Sequence, residues 1–411
     1  MDNLTHTLAG VLVGETLSRV TRSSPEGLPE PQRRNLFVTL MAIGSNVPDL
    51  DFLSSAISGD KLEYMLEHRG HTHTIIGAVI GAAILYACCL LWCRLRKQQL
   101  SSADRIQLAG ISLLALLLHV TMDFTNNYGV HPLWPLYNGW LYGDTVFIWE
   151  PLLWSAAAPL VFILRTNLAR ALIGALLLAA IGACFGSGLV PTGFAIFMVA
   201  ITIAMLVVGR QLQSKAALFT SIGLWLAITL TFALSRINAE SQLRAFIAQR
   251  YPGETVLDYV LTPMPADPLC WNVMLPMTTT DRYIVRHGVW AVAPGIVPAD
   301  RCPGRGLFKE ITAPLAAVTD APSPSMDWQG EIVMPRDELS ALATTNCEAA
   351  AFLQFARVPW AMRKEESWIV GDLRYDREPG LGFAELELVD GVVNCPSRKL
   401  PWLPPRSDLL R

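Results

Sequence analysis

Three short stretches of this chain bring imidazoles and carboxylates together, the groups that hold a divalent metal ion. In Leu118-His119-Val120-Thr121-Met122-Asp123 the histidine and the aspartate are four apart. On a helix both side chains then project from one face and can chelate one cation. In Glu67-His68-Arg69-Gly70-His71-Thr72-His73-Thr74 three imidazoles fall within six residues and offer nitrogen ligands suited to zinc or a similar transition metal. In Asn46-Val47-Pro48-Asp49-Leu50-Asp51 two carboxylates follow a proline, which disfavours continuing a helix and puts them on a loop or a fresh helix start. Each stretch has a plainer reading: a buried histidine bonded to a carboxylate, a His-rich turn at a membrane surface, a Pro-Asp helix cap. His6 is a further candidate ligand. Six of the seven histidines lie in the first 131 residues, and ionisable groups near lipid are costly to bury unless they serve a function.

The elements that must position these groups are apolar. Of the 411 residues 52% are hydrophobic and 16% charged, with a mean hydropathy of +0.36; a soluble domain carries about 25% charge, so much of this chain is built for lipid. The net charge of −3 and scattered basic residues give no footprint for nucleic acid. A helix needs about 20 apolar residues to cross the hydrocarbon core, and eight stretches approach that length: 4–20, 35–53, 74–93, 106–122, 146–164, 168–187, 189–208 and 216–235. The first two are interrupted by polar groups. With Asp2, His6, Gly10, Gly14 and Glu15, the N-terminal stretch reads as retained rather than as a cleaved signal peptide.

Arg19, Arg22, Arg33 and Arg34 lie between the first two candidates, and Arg94, Arg96, Lys97 and Arg105 between the third and fourth. Both loops are therefore expected on the cytoplasmic side. Arg165, Arg170, Arg210 and Lys215 fit the same alternation, and His6, Asp49, Asp51, His73, His119 and Asp123 then all arrive at the opposite, outer face. The expected organisation is an α-helical polytopic inner-membrane domain of about eight spans, with the metal site in 1–165 and further transmembrane helices in 166–236. A β-rich soluble domain over 237–411 should lie on the outer, periplasmic side. In that domain Tyr283–Val292, Phe352–Val358, Ser367–Tyr375 and Phe383–Val389 read as strands, and Cys270, Cys302, Cys347 and Cys395 allow up to two disulfides in three pairings. Cys88, Cys89, Cys93 and Cys184 are expected to be packing residues. Trp271, Trp290, Trp328, Trp360, Trp368 and Trp402 read as core aromatics rather than a membrane belt, and His287 as an isolated strand residue rather than a ligand.

Taken together the motifs resemble the YdjM family of membrane-bound, predicted metal-dependent hydrolases. The resemblance rests on Thr5-His6-Thr7 with Gly10, Pro48-Asp49-Leu50-Asp51, His68-Arg69-Gly70 with Thr72-His73, and His119 with Asp123 followed by Asn127-Tyr128-Gly129. It extends to Asp144 and Phe147-Ile148-Trp149-Glu150-Pro151, where the family more usually has Asp before the proline, and Thr74 stands where Ser is common. The order of ligands also looks like that of zinc-dependent phospholipase C and P1-type nucleases. Their later His and His-x-x-x-Glu pair are absent in plain form, with His131, Asp144 and Glu150 the nearby substitutes, so one or two ions are expected. On this basis His6, Asp49, Asp51, His68, His73, His119 and Asp123 are the candidate ligands of a divalent transition metal, zinc foremost. Such an ion lowers the pKa of bound water to near 7 and polarises a phosphoryl or carbonyl oxygen. Arg69 could clamp a phosphate oxygen or pair with Glu67 or a headgroup, and Asp144 could ligate, act as general base, or merely cap a turn. A site at headgroup level suits a lipid or lipid-linked phosphoester, with protein partners unspecified. No His-Glu-x-x-His motif supports a protease. The rival expectation is a metal-stabilised membrane scaffold whose outer domain binds a partner without turnover.

Overall fold

The structure is a computed structural model describing residues 1–53, 57, 59–303, 315–318, 320, 323–375, 381–389 and 400–410. Helix α1 (Asn3–Val20) starts where the Asp2 carboxylate accepts from the Leu4 and Thr5 amides. It lies antiparallel to α2 (Glu30–Gly44). Gly10 and Gly14, one turn apart, let the two backbones touch: a Cβ on Gly10 would sit 2.5 Å from the Met41 carbonyl oxygen, and one on Gly14 2.9 Å from the Val38 Cα. Small residues at this spacing are the usual means of close helix approach in a membrane. At the basic end of the pair, the buried Glu15 accepts from Arg34 Nε at 2.9 Å and from Arg19, so charges sunk among helices are paired.

After α2 come a 3₁₀ turn (Pro48–Asp51), α3 (Lys61–Glu67), a second 3₁₀ turn (His71–His73), α4 (Ile75–Leu95) and α5 (Ser102–Phe124). The capping box between Ser101 and Asp104 opens α5, and Asp104 also receives the Leu28 amide at 3.0 Å. This ties the start of α5 to the basic end. Next are α6 (Pro151–Ala156) and α7 (Leu160–Ile163), then α8 (Asn167–Gly186), α9 (Thr192–Gln211) and α10 (Ser214–Arg250).

Among the described residues five helices, α4, α5, α8, α9 and α10, are long and apolar enough to cross a membrane, against the eight stretches expected. Helix α2 has 15 residues, a rise of roughly 22 Å, and ends at Gly44 rather than running to residue 53. The stretch over 146–164 is not one helix. Pro159 offers no amide, and the amides of Ala157, Ala158 and Leu160 bond carbonyls three residues back, which tightens and breaks the coil into α6 and α7.

Helix α10 runs unbroken past residue 236 to Arg250, burying Ala239, Leu243 and Ile247 against a sheet. That antiparallel sheet comprises β1 (Thr255–Val256), β2 (Val260–Met264), β3 (Asp267–Thr278), β4 (Arg282–Ala291) and β5 (Met326–Pro335), in the order β1-β3-β4-β5 with β2 also on β3. After α11 (Glu338–Thr345) and α12 (Cys347–Phe352), a second antiparallel sheet follows, of β6 (Pro359–Lys364), β7 (Ser367–Asp372) and β8 (Glu385–Val389). The strand expected over 352–358 is replaced by the end of α12 and a turn. Asn346 explains this, because its side chain accepts from the Glu348 and Ala349 amides and starts a helix there. Cys270 and Cys302 form a disulfide and Cys347 is also disulfide-bonded; Cys395 lies outside the described residues. The helix cysteines are free. Trp271, Trp290, Trp360 and Trp402 are buried, and His287 is a core residue bonded to Asn272 at 2.8 Å.

This β-rich part sits on the bundle end opposite the paired arginines. Arg374 donates to the Asn127 carbonyl at 2.7 Å, the Leu403 amide to the Asn138 carbonyl at 2.8 Å, and the Ala266 amide to the Glu150 carboxylate at 3.1 Å. One apolar core joins Leu62, Met65 and Tyr128 to Phe352, Phe355 and Trp360. The α1–α2 contact governs this end too, since a Gly10 Cβ would also fall 2.7 Å from Ser45 Oγ. Gly10→Leu should destabilise the protein by about 1–3 kcal/mol, the usual cost of overpacking, and should lower its bound metal. Denaturant titration and metal analysis read the two effects; unchanged values in both would refute the close-contact account.

Candidate metal centre

Each candidate ligand is set by a local device. Pro48 opens the turn carrying Asp49 and Asp51. The Thr74 hydroxyl accepts from the Gly77 amide and so starts α4 directly after His73. The last turn of α5 presents His119 and Asp123 from one face. These pieces converge: Asp49, His73, His119 and Asp123 are all buried, and their donor atoms together could hold one ion.

The separations test that fit. His73 Nε2 lies 3.3 Å from Asp49 Oδ1 and 3.1 Å from Asp123 Oδ2. His119 Nε2 lies 3.4 Å from Asp49 Oδ1 and 3.2 Å from Asp123 Oδ2, and the two Nε2 atoms are 3.1 Å apart. Ligand atoms about 2.0 Å from a tetrahedral zinc-like ion stand roughly 3.3 Å from one another; five edges of this polyhedron have that length. Asp123 Oδ2 forms no aligned hydrogen bond with either neighbouring imidazole, as befits lone pairs aimed at a shared centre. The far ring nitrogens are anchored as metal-binding histidines require: His119 Nδ1 donates to the Ser45 carbonyl at 2.7 Å, and His73 Nδ1 lies 2.9 Å from Thr72 Oγ1 and 3.3 Å from Asp51 Oδ2. Two imidazole nitrogens and two carboxylate oxygens are a donor set for a divalent transition metal.

A second group, Asp49, Asp51 and His68, shares Asp49 with the first. Asp51 also organises its surroundings, accepting from the Arg69 amide at 3.0 Å and the Thr72 hydroxyl at 2.7 Å, with His68 Nδ1 at 2.9 Å. His6 stands beside the centre. Its ring stacks on His119 with centroids 3.9 Å apart, and its Nε2 is 3.1 Å from Asp123 Oδ1. Arg69, at φ +63°, donates to Asp123 Oδ1 at 3.0 Å and Asn126 Oδ1 at 2.8 Å, and lies over the Tyr128 ring.

Asp144 is placed elsewhere. Its carboxylate receives Arg357 from the β-rich part at 2.8 Å, and neither ligand group includes it. Glu150 caps α6 and holds Ala266, while His131 stacks on Trp402 with centroids 4.2 Å apart. None of these three substitutes joins the ligands, so the resemblance to a three-metal centre stops at the first two groups. Sequence reasoning passed over Ser45, which acts through its carbonyl and leaves no side-chain signature, and Asn126, whose one clue is its place three residues after Asp123.

Burial opposes ionisation of both aspartates, yet hydrogen bonds from His119 and His73 hold Asp49 below the usual carboxylate range, and those from His68 and His73 do the same for Asp51. Burial likewise disfavours a charged His73, but the carboxylates of Asp123, Asp49 and Asp51 around it outweigh this and raise it to about 10.

Fold and site together define a polytopic helical membrane protein with a buried His/Asp centre beneath a β-rich cap. Residues 1–195 match the family described as YdjM inner membrane protein. The uncharacterized protein YfhP of Bacillus subtilis (strain 168) is 28% identical over 153 residues, covering 37% of this chain and 42% of that protein. The chain thus spans less than half the length of this relative. No solved structure matches.

In chelator-stripped protein the raised His73 contributes stability that is complete below its ordinary value of 6.5 and is lost as pH climbs toward about 10. A metal ion needs the bare nitrogen, so zinc uptake at about pH 7 should release at least one proton. Calorimetric titration in buffers of different ionisation enthalpy measures this, and a buffer-independent heat would contradict it.

Proposed function

We propose that this protein is a membrane-bound metal-dependent hydrolase that cleaves a phosphoester in a lipid or lipid-linked substrate at the outer face of the inner membrane, with its β-rich cap in the periplasm. The observation that carries the reading is that the group Asp49, His73, His119 and Asp123 adjoins a second, three-ligand group of Asp49, Asp51 and His68 through the shared Asp49. Zinc is the metal that best suits this nitrogen and oxygen set. A divalent metal bound here supplies an electrophile for a phosphoryl oxygen and acidifies water. The chain's own residues do the rest. Ser45, Thr72 and Asp51 hold the imidazoles in orientation, Arg69 carries positive charge to the edge of the ligand cluster, and the cap excludes bulk water.

Orientation follows from charge. Arg19, Arg22, Arg33, Arg34, Arg94 and Arg96 gather at the helix ends away from the ligands, which favours those ends on the cytoplasmic side. An apolar cavity of about 180 Å³ between α1, α5, α6 and α10 is lined by Ala9, Leu12, Met122, Leu153 and Trp225. It offers room for hydrocarbon one residue from Asp123, which suits a lipid substrate.

A metal-stabilised scaffold with a partner-binding cap is the second reading. One observation favours it: four protein ligands close a tetrahedron, the pattern of structural sites. The group of Asp49, Asp51 and His68 favours catalysis instead, since three protein ligands leave a position for substrate. Purified protein in detergent should contain at least one equivalent of metal and release phosphate or phosphorylated headgroups from lipid phosphoesters. His119→Ala with Asp123→Ala should abolish both. Unchanged turnover in that double variant would overturn the hydrolase assignment, and metal-dependent stability without any turnover would favour the scaffold.

A further inference from the structure

The geometry points to a phosphoryl-binding pocket built by Arg69, Asn126 and Tyr128 beside the ligand cluster, an assignment that rests on the metal-centre reading above and deepens it. All three side chains are at least nine-tenths buried. Each keeps one hydrogen-bonding group without a partner among the described residues: Arg69 Nε, Asn126 Nδ2 and the Tyr128 hydroxyl. Buried donors are normally satisfied, and three such donors on residues in mutual contact offer a place for an acceptor-rich ligand.

Their other polar side-chain atoms have partners, which fixes how they sit. Arg69 donates from Nη2 to Asp123 and from Nη1 to Asn126 Oδ1, and its amide bonds Asp51. Asn126 Oδ1 also accepts the Tyr128 amide at 3.0 Å, so the orientation of the carboxamide is set by two donors and Nδ2 is left over. The Tyr128 ring lies under the guanidinium, 4.7 Å from its carbon, and its edge meets His68 with centroids 5.4 Å apart. The trio therefore bridges Asp123, in the four-ligand group, and His68, in the three-ligand group. A guanidinium whose charge is shared with Asp123, an amide and a phenol supply three donors, which suit the acceptor oxygens of a tetrahedral phosphoryl group. A neutral ester carbonyl would leave most of these donors unsatisfied.

The same chemistry is carried by a lipid phosphate headgroup and by free phosphate, so two probes are used on the full-length, zinc-loaded protein in detergent: inorganic phosphate, and phosphatidate in mixed micelles. Binding is measured by calorimetry after metal content is confirmed. Tyr128→Phe removes only the hydroxyl, and Asn126→Asp keeps the acceptor while replacing the donor with an anion. Each should weaken the bound probe by about tenfold or more, the scale of a hydrogen bond to a charged group, with zinc retained. Binding of phosphatidate alone assigns the headgroup as the source; binding of inorganic phosphate alone assigns the free ion; both support the pocket. Wild-type affinity in both variants overturns it, as does failure of the wild-type protein to bind either probe. Loss of zinc in both variants also overturns it, because these residues would then be positioning the metal ligands. Phosphate binding without lipid hydrolysis would sink the enzymatic reading and leave the pocket standing, whereas lipid hydrolysis with unaltered variant affinities would do the reverse.

Discussion

A single carboxylate at the end of α5 organises the membrane-embedded half. Asp123 is within 3.2 Å of His73, His119, His6 and Arg69, groups that come from three segments: α1, the turn before α4, and α5 itself. An uncompensated charge at that depth is strongly disfavoured. Its neighbours must therefore be held close enough to neutralise it, and the close α1–α2 contact, the proline-started turn at Asp49 and the threonine-capped start of α4 all serve that end.

The β-rich part completes the same electrostatic task from above. Asp144, which the linear sequence offers as a general base, a ligand or a turn cap, is neutralised by Arg357 across 213 residues, and Arg357 in turn reaches Asp258 at 2.8 Å. Arg374 is wholly buried, pairs with Asp372 at 2.7 Å and hydrogen-bonds the loop after α5. Removing one member of such a buried pair costs about 3–5 kcal/mol because the other is left charged and alone. The cap is thus welded to the bundle by charge as well as by the apolar core around Phe355 and Trp360.

The ligands were legible because their chemistry is local: a His and an Asp four apart must share a helix face, and a proline before two aspartates must interrupt a helix. The helices with uniform hydropathy were legible for the same reason. Residues 146–164 were not, since hydropathy is blind to the missing amide of Pro159. Phe352–Val358 looked strand-like by side-chain type, but the capping side chain of Asn346 settled the backbone first. The fate of Asp144 and the arrival of Trp402 against His131 depend on partners hundreds of residues away, and no short-range pattern encodes them.

Helix α10 has 37 residues, about 55 Å at the standard rise, well beyond the roughly 30 Å of hydrocarbon it must traverse. Bundle and first sheet therefore share one continuous rod with no joint between them. Swinging the upper layer aside would require melting helical turns as well as breaking the Arg374 and Arg357 linkages. The upper layer is consequently a fixed roof over the buried cluster rather than a hinged one.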